Sequence, residues 1–456
     1  MIRRFVLSTR RATERVLPRG AILLSVLTFA AYVMGLVRDR TFARTFGAGT
    51  ELDAYNAAFV LPELALDVLV AGGLAAPFVP IFLSLRHDRP DDGDHAAEAF
   101  GQTVLTLAVL VMAVSAVFLF FLAPATVDVI TPGFDAPARA MYVDLFRIMC
   151  ATPMLFAASI ALGEVLVADR RFLFYGLAPL LYNAGIVLGT LLFASRFGIF
   201  AAAIGALLGA VLHLAIRVVG IRRTSFRIRA RLQVRTAAIR EFLWLMLPKM
   251  LAHPIDPLVF LYFTSLATRF AAGGVSSVSF ARNFQSVPVS LIGVSIAIAA
   301  FPVLSAAEAA GDRAGFIRVL GRNLLTTAVV TTGAAVVLFV LSTALIRVLL
   351  GGGAFDSNDV TVTAGLLAVF AISVPFESLT HLLARGFYAT HNTIIPVLSS
   401  LAGLAVIFLV GETLAPSVGL TAIPIAFTVG SLTKVALLGI AIGPRVRRIG
   451  VSPPAP

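Results

Sequence analysis

The sequence predicts an all-α polytopic membrane protein with about twelve transmembrane helices in two six-helix pseudo-repeat lobes. Of its 456 residues, 59% are hydrophobic and only 13% are charged, which is too little polar surface for a soluble domain. The apolar residues form continuous runs of the roughly 20 residues that a spanning helix needs. They do not alternate with polar residues as the strands of an outer-membrane barrel do.

These apolar runs place the predicted spans along the chain. The second and eighth runs are longer than a plain helix needs and contain prolines, so we expect both helices to be bent or broken. The twelve spans lie near residues 21–37, 54–85, 97–123, 140–168, 172–194, 198–219, 241–264, 275–306, 323–349, 361–388, 394–412 and 416–442.

The connections between the spans alternate in charge. One side of the membrane receives 25 of the 36 Lys and Arg residues, eight of them in the 217–240 connection, and the other side receives seven. The positive-inside rule therefore predicts that both termini are cytoplasmic, which agrees with an even number of spans. Membrane topology and anionic lipid headgroups explain the Arg-rich connection better than nucleic-acid binding does.

The charge pattern and the spans together divide the chain into five regions. The two lobes are separated by an Arg-rich cytoplasmic linker and flanked by two cytoplasmic tails. In chain order the regions are a basic tail (1–20), an N-terminal lobe (21–220), the linker (221–240), a C-terminal lobe (241–442) and a second tail (443–456).

The two lobes resemble each other in sequence. "FGAG" at 46–49 and "FAAG" at 270–273 each precede a long span with an internal proline, and the segments that begin at Pro153 and Pro375 are also similar. Six spans per lobe give both lobes the same orientation, as in transporters that bind cargo between parallel repeats. Chance similarity between apolar segments is the alternative.

Several ionisable residues lie inside predicted spans, where each charge costs roughly 2.5–3.5 kcal/mol. Glu63 and Asp67 share a helix face, as do Lys249 and His253. Asp256 lies on nearly the same face as Lys249, between two prolines that leave backbone carbonyls free, which makes it a candidate Na⁺ or H⁺ coupling site. Ion pairs that lock helix packing are the alternative. The other charged candidates are Arg147, Arg282, Glu377, His381 and Lys434.

No motif of an enzyme or an ATPase is present in the sequence. It contains neither an HExxH metal motif nor a P-loop Gly-Lys-Ser/Thr. Its single cysteine, Cys150, excludes an intramolecular disulfide and a thiolate metal site. We therefore expect a transporter without a cofactor, driven by a Na⁺ or H⁺ gradient, by the membrane potential or by the cargo gradient.

Four segments together resemble one known family. The stretch "GLVRDRTFARTFGAGTELDAYNAAFVLPELALDVLVAGGLAAPFVPIF" (Gly35–Phe82) resembles the N-terminal signature of the MurJ/MviN family. These proteins are lipid II flippases of the multidrug/oligosaccharidyl-lipid/polysaccharide exporter superfamily. The other three segments occur in the family's order: "TPGF" (Thr131–Phe134), "RRFLFYGLAPLLYN" (Arg170–Asn183) and "LLARGFYATHNTIIPV" (Leu382–Val397).

The resemblance implies a V-shaped bundle with a central cationic cavity in the bacterial inner membrane. It implies alternating-access transfer of a polyprenyl-diphosphate-linked cell-wall precursor, lipid II or a close relative, to the outer leaflet, with this lipid-linked glycan and membrane lipids as partners. Arg38, Asp39 and Asp53 match family residues and are expected to bind substrate, because arginine can hold a diphosphate bidentately. Gly47 and Gly49 would permit a tight gate between the first two spans.

The chain departs from the family pattern at cavity positions. Arg282 lies beside Asn283, where the family has an arginine, and rewinding of the helix before Pro288 would turn Arg282 toward Arg38 and the substrate. The family also has two helices beyond the twelve predicted here. The other departures are Tyr32, Leu66, Asp67, Ala71 and His381, and the remaining cavity or gate candidates are Glu63, Lys249 and Glu377.

Three other functions remain open from the sequence. The additional carboxylates Glu63, Asp67 and Glu377 favour a cation-coupled exporter of small amphipathic compounds. A flippase for another lipid-linked glycan also fits the signature, and a scaffold that has lost transport is the third alternative.

Overall fold

The computed structural model describes residues 19–87, 93–252 and 255–450. Residues 1–18 and 451–456, which belong to the two predicted tails, lie outside the described residues, as do 88–92, His253 and Pro254. The described chain is built from α-helices, most of them joined by short turns, and residues 222–236 form a longer non-helical connection. The helices are α1 (Arg19–Phe46), α2 (Thr50–Leu66), α3 (Gly72–His87), α4 (Gly93–Ile130), α5 (Ala136–Met149), α6 (Ala151–Ala168), α7 (Phe172–Phe197), α8 (Phe200–Ile221), α9 (Ala237–Ala252), α10 (Ile255–Ala267), α11 (Gly274–Pro288), α12 (Ser295–Ala309), α13 (Arg313–Leu349), α14 (Ser357–Ala371), α15 (Val374–Ala389), α16 (Ile394–Val418) and α17 (Ala422–Val446).

Nine helices in the described ranges are long and apolar enough to cross a membrane, or ten if the bent pair α14–α15 forms one span. The predicted number of about twelve differs from this at two places. The predicted seventh span falls on α9 and α10, which have only 16 and 13 residues. The predicted eleventh and twelfth spans form one helical stretch of 53 residues, in which α16 and α17 pack against each other.

The two long predicted spans each contain a π-helical turn. Asp67–Ala71 connects α2 to α3, and Val289–Val294 connects α11 to α12. The expected interruption therefore occurs as a change of helical pitch within a helical segment. Each turn follows a proline inside the preceding helix, Pro62 or Pro288, which removes a backbone donor. Such turns are frequent at functional sites.

The first of two compact units has an aromatic core. A chain of rings runs through Phe78, Phe82, Phe100, Phe226 and Phe242, with neighbouring centroids 5.3–6.5 Å apart. These rings connect α3 and α4 to the linker and to α9, so the linker is part of the folded unit. This unit consists of Met1–Thr45, Ala57–Asp128 and Asp135–Pro257.

Helices α7 and α8 of this unit are in close backbone contact at paired glycines. A Cβ atom on Gly185 would lie 2.3 Å from the Cα of Gly209, and one on Gly189 would lie 2.3 Å from the Cα of Gly205. Small residues four apart on both helices permit this approach, as in many membrane helix pairs. The contact sets the position of α7, which carries Asn183 of the site described below.

The second compact unit has its own cluster of rings. Tyr262, Phe263, Phe370, Phe408 and Phe427 form this cluster, with neighbouring centroids 5.0–6.4 Å apart. The unit consists of Phe46–Asn56, Val129–Phe134 and Leu258–Pro456. The compact units thus differ from the predicted lobes, since two connections of the N-terminal half belong to the second unit and residues 241–257 belong to the first.

Backbone features recur at a fixed interval in the two halves of the sequence. The side chain of Asp135 caps α5, and that of Asp356, 221 residues later, caps α14. Arg170 and His391, also 221 residues apart, are the two non-glycine residues with positive φ in the described chain, at 55° and 54°. This regular spacing supports the predicted internal repeat.

Candidate functional site

Arg38 connects two of the segments on which the family resemblance is based. Its Nε and Nη2 donate to Asp39 Oδ1 at 3.0 and 2.8 Å, and its Nη1 donates to Asn183 Oδ1 at 3.1 Å. The first contact lies within α1, and the second connects α1 to α7. The Arg38 side chain is 27% exposed and that of Asp39 is 9% exposed. The guanidinium is therefore held in a fixed orientation while part of it stays accessible.

Glu63 and, through it, Asp67 extend this group of charges. Glu63 on α2 is exposed and interacts electrostatically with Asp67, which begins the first π turn, and with Arg38. We refer to Arg38, Asp39, Glu63, Asp67 and Asn183 as the Arg38 cluster; all five residues belong to the first unit. Chemically, the cluster offers a guanidinium for an anionic group and carboxylates for a cation or a proton.

Asp53, predicted to bind substrate, is instead buried in a structural role. It is 2% exposed and accepts hydrogen bonds from the backbone N–H of Gly273 at 2.8 Å and of Ser276 at 2.7 Å. It also accepts one from the Ser276 hydroxyl at 2.6 Å. These groups lie at the start of α11, whose first N–H groups have no partner within the helix. Asp53 therefore caps α11 from a distant part of the chain.

The predicted gate glycines have different environments. Gly47 has φ of +68°, and a Cβ atom there would lie 2.6 Å from the Ala354 carbonyl oxygen. The neighbouring Ala48 N–H donates to Asp359 Oδ2 at 3.1 Å, which anchors this connection within the second unit. Gly49 has nothing closer to its missing Cβ than the Phe46 carbonyl oxygen at 4.0 Å. Only Gly47 is required by the geometry of the connection.

Arg282 and Glu377, both predicted site residues, form an ion pair in the second unit. Arg282 Nη2 and Nη1 donate to the two carboxylate oxygens of Glu377 at 2.9 and 3.2 Å. The guanidinium also lies 4.4 Å from the ring centroid of Phe427 and contacts the side-chain amide of Gln285. Gln285 in turn donates to Glu377 at 2.8 Å and to Ser373 at 3.0 Å. For these two residues, the structure agrees with the alternative that charges within the spans form ion pairs between packed helices.

The helix around Arg282 differs from the expectation. The second π turn begins at Val289, after Pro288, so α11 is a regular α-helix at Arg282. The rewinding that was expected to turn Arg282 toward the substrate is therefore absent at that position. His381 contributes a second electrostatic interaction with Glu377, so the predicted residues of α11 and α15 form one group around this carboxylate.

The predicted ion-coupling residue Asp256 is exposed in the first turn of α10. Lys249 belongs to α9, which ends at Ala252, but its side chain lies outside the described residues, as do His253 and Pro254. The proposed common helix face of Lys249 and Asp256 therefore stays a prediction.

A group of polar side chains around Arg217 lies inside the first unit and was not predicted from the sequence. Arg217 was assigned to the cytoplasmic connection, but it lies within α8, is 5% exposed, and has its guanidinium carbon 4.5 Å from the ring centroid of Tyr175. Its electrostatic partners include the buried Glu164 and His213, and the His213 ring contacts the Ser159 hydroxyl at 2.7 Å. His213 and Arg217 are four residues apart in an apolar run, and this spacing places them on one helix face. It could have indicated the group from the sequence.

Comparison with known proteins identifies the family. The sequence profile described as lipid II flippase MurJ matches residues 42–451, most of the chain. The chain belongs to the MurJ family. The lipid II flippase MurJ of Burkholderia cenocepacia is 26% identical to it over 449 residues, which cover 96% of this chain and 85% of the relative.

Solved structures of transporters share the fold of this chain. A lipid II flippase MurJ in an inward closed conformation matches with a TM-score of 0.78 at 22% identity, covering 94% of this chain and 90% of the other. An inward-facing multidrug resistance MATE family transporter matches with a TM-score of 0.75 at 12% identity, covering 94% and 98%. The predicted fold class is thereby confirmed. As a member of the MurJ family, the chain is a multi-pass transporter of the bacterial inner membrane and not an enzyme.

Proposed function

We propose that this protein moves lipid II from the cytoplasmic to the outer leaflet by alternating access, with both termini in the cytoplasm. Membership of the MurJ family supports the cargo. The observation that carries the proposal is the geometry of Arg38, which Asp39 and Asn183 hold in place while its side chain remains 27% exposed.

In this proposal Arg38 binds the diphosphate of the cargo. A planar guanidinium can donate two parallel hydrogen bonds to phosphate oxygens and stays charged at any physiological pH. Asp39 and Asn183 restrict its rotamers, which reduces the entropy lost when the cargo binds. When the cargo leaves, the Asp39 carboxylate remains as a partner for the guanidinium, so release does not leave an isolated charge.

Growth complementation tests this role. A bacterium depleted of its own lipid II flippase should grow with the unchanged protein, should fail to grow with Arg38→Ala and should grow weakly with Arg38→Lys, since lysine lacks the planar fork. The matched control is Arg139→Ala, because Arg139 also forms an ion pair, at 3.0 Å with the exposed Asp128. Normal growth with Arg38→Ala, at equal membrane abundance, would refute the proposal.

We further propose that a cation gradient drives this transport. The carboxylates Glu63 and Asp67 of the Arg38 cluster and the exposed Asp256 at the start of α10 support this proposal. In proteoliposomes with an imposed Na⁺ or H⁺ gradient, Asp256→Asn should remove the gradient dependence of lipid II transfer. Unchanged gradient dependence would exclude Asp256 and leave the two other carboxylates as candidates.

Export of small organic cations is the second candidate function. Glu63 and Asp67 favour it because carboxylates in the Arg38 cluster suit a cationic cargo. The same proteoliposomes distinguish the two functions. Efflux of a fluorescent organic cation that depends on Glu63, without any transfer of lipid II, would replace the flippase by an exporter.

A further inference from the structure

An apolar groove of about 830 Å³ lies on the first unit, and its lining includes Leu69 of the first π turn. Its walls come from the first π turn, from α4, from the end of the linker and from α9. Many of the lining side chains are exposed, among them Trp244 at 75% and Leu247 at 51%. The apolar lining includes Leu69, Val111, Val234, Leu243, Trp244 and Leu247.

The charged residues of the groove lie at one end of it. Arg240 lines it together with the carboxylate of Glu241, and Arg235 lies in the chain between the lining residues Val234 and Ala237. Arg231, Arg235 and Arg240 are all exposed. Arg240 and Arg235 therefore lie at or beside this end, against one acidic side chain in the lining.

The basic segment is held in place by side chains of α4. The Arg227 N–H donates to Glu98 at 3.0 Å, and the Arg231 N–H donates to the Thr106 hydroxyl at 3.0 Å. Gln102 donates to the Arg227 carbonyl at 2.8 Å. Because these bonds use the backbone of the linker, its arginine side chains remain available at the surface.

The order of residues along α9 gives the groove a direction. Arg240 and Glu241 lie in the first turns of the helix, and Leu243, Trp244 and Leu247 follow toward its C-terminal end. At 1.5 Å per residue, Leu247 lies roughly 10 Å beyond Arg240 along the axis. A charged end followed by an apolar channel matches a phosphate headgroup followed by an acyl chain.

We propose that this groove binds one anionic phospholipid of the membrane. The headgroup phosphate contacts Arg240 and Arg235, and one acyl chain lies along Leu243, Trp244 and Leu247. The excess of basic over acidic side chains at this end favours an anionic lipid over a zwitterionic one, because each basic residue near an anionic headgroup lowers the free energy of binding. The bound chain also contacts Leu69, in the π turn that begins with Asp67.

The single tryptophan of the chain makes this site directly measurable. Trp244 is the only tryptophan in the sequence and lies in the groove, so its fluorescence reports which acyl chain occupies it. The full-length protein would be reconstituted in phosphatidylcholine vesicles that contain brominated acyl chains on either phosphatidylglycerol or phosphatidylcholine. Quenching by the brominated phosphatidylglycerol should reach half its maximum at roughly tenfold lower mole fraction, given two basic contacts.

Two double variants complete the test. Arg235→Gln with Arg240→Gln should reduce the preference for phosphatidylglycerol to about the level of phosphatidylcholine, without reducing quenching by the latter. The matched control is Arg222→Gln with Arg229→Gln, which removes two exposed arginines of the same connection that do not line the groove and should keep the preference. Equal quenching by both lipids in the unchanged protein, or equal effects of the two double variants, would overturn the proposal.

Discussion

The role of Asp53 is open to a decisive test, because the family resemblance and the structure give it different functions. The resemblance implies contact with substrate, whereas the structure shows a buried carboxylate that accepts three hydrogen bonds at the start of α11. Asp53→Ala removes a helix cap, which costs about 1–2 kcal/mol. It also leaves the buried N–H groups of Gly273 and Ser276 without their acceptor, at about 1–3 kcal/mol each.

Because such contributions are not additive, we expect Asp53→Ala to lower the free energy of unfolding by about 3–5 kcal/mol. Asp53→Asn should cost roughly half as much, since asparagine keeps one acceptor oxygen and caps helices almost as well. The control is Asp128→Ala, whose side chain is 84% exposed and forms a surface pair with Arg139. That change should cost less than about 1 kcal/mol.

The measurement has two parts, the folded fraction after heating in detergent and lipid II transfer per folded molecule. A structural cap predicts that Asp53→Ala lowers the folded fraction and leaves transfer by the surviving molecules intact. If Asp53→Ala were as stable as Asp128→Ala but did not transfer lipid II, Asp53 would be a substrate ligand, and the reasoning from its burial would be wrong.

Two further predictions concern the second unit. Gly47→Ala should reduce membrane abundance, because a Cβ at this positive φ would lie 2.6 Å from the Ala354 carbonyl oxygen, whereas Gly49→Ala should be tolerated; equal abundance of the two variants would contradict this. Arg282→Ala and Glu377→Ala should each destabilise the protein by about 2–4 kcal/mol, and the double variant by less than both together, because each single change leaves an unpaired charge. Additive losses in the same thermal assay would show that the pair does not act as a unit.

The fold class could be predicted from the sequence because it depends on the length and composition of apolar runs. The length of the second and eighth predicted spans likewise indicated that both are interrupted, and the interruptions are π turns in the structure. The assignment of charged residues near span ends was less accurate. Arg217 lies within the predicted span 198–219 but was counted with the basic residues of the connection, whereas packing against Tyr175 buries it within α8.

The roles of the predicted site residues depend on partners that are distant in the chain. Arg38 and Asp39 are adjacent in the chain, so their interaction was accessible from the sequence. The partners of Asp53 lie 220 and 223 residues away, and Arg282 is 95 residues from Glu377. Local pattern carries no information about such pairings, which arise only when distant helices pack. A family motif identifies a charged residue without deciding whether it binds cargo or caps a helix.

The internal repeat separates the scaffold of this protein from its chemistry. The helix caps at Asp135 and Asp356 recur at an interval of 221 residues, yet the charged residues of the sites do not recur. The segment 221–224 residues after Arg38 reads Val-Phe-Leu-Tyr, and the segment the same distance before Arg282 reads Ala-Phe-Val-Leu. A charge within the membrane is costly. A charge that is present in only one half of the repeat therefore has a function that the other half does not have. Capping and helix packing are needs that both halves share. The asymmetric charge of Arg38 is therefore where the cargo preference of this chain should be changed by mutation, and the repeated caps at Asp135 and Asp356 are where mutation should change stability alone.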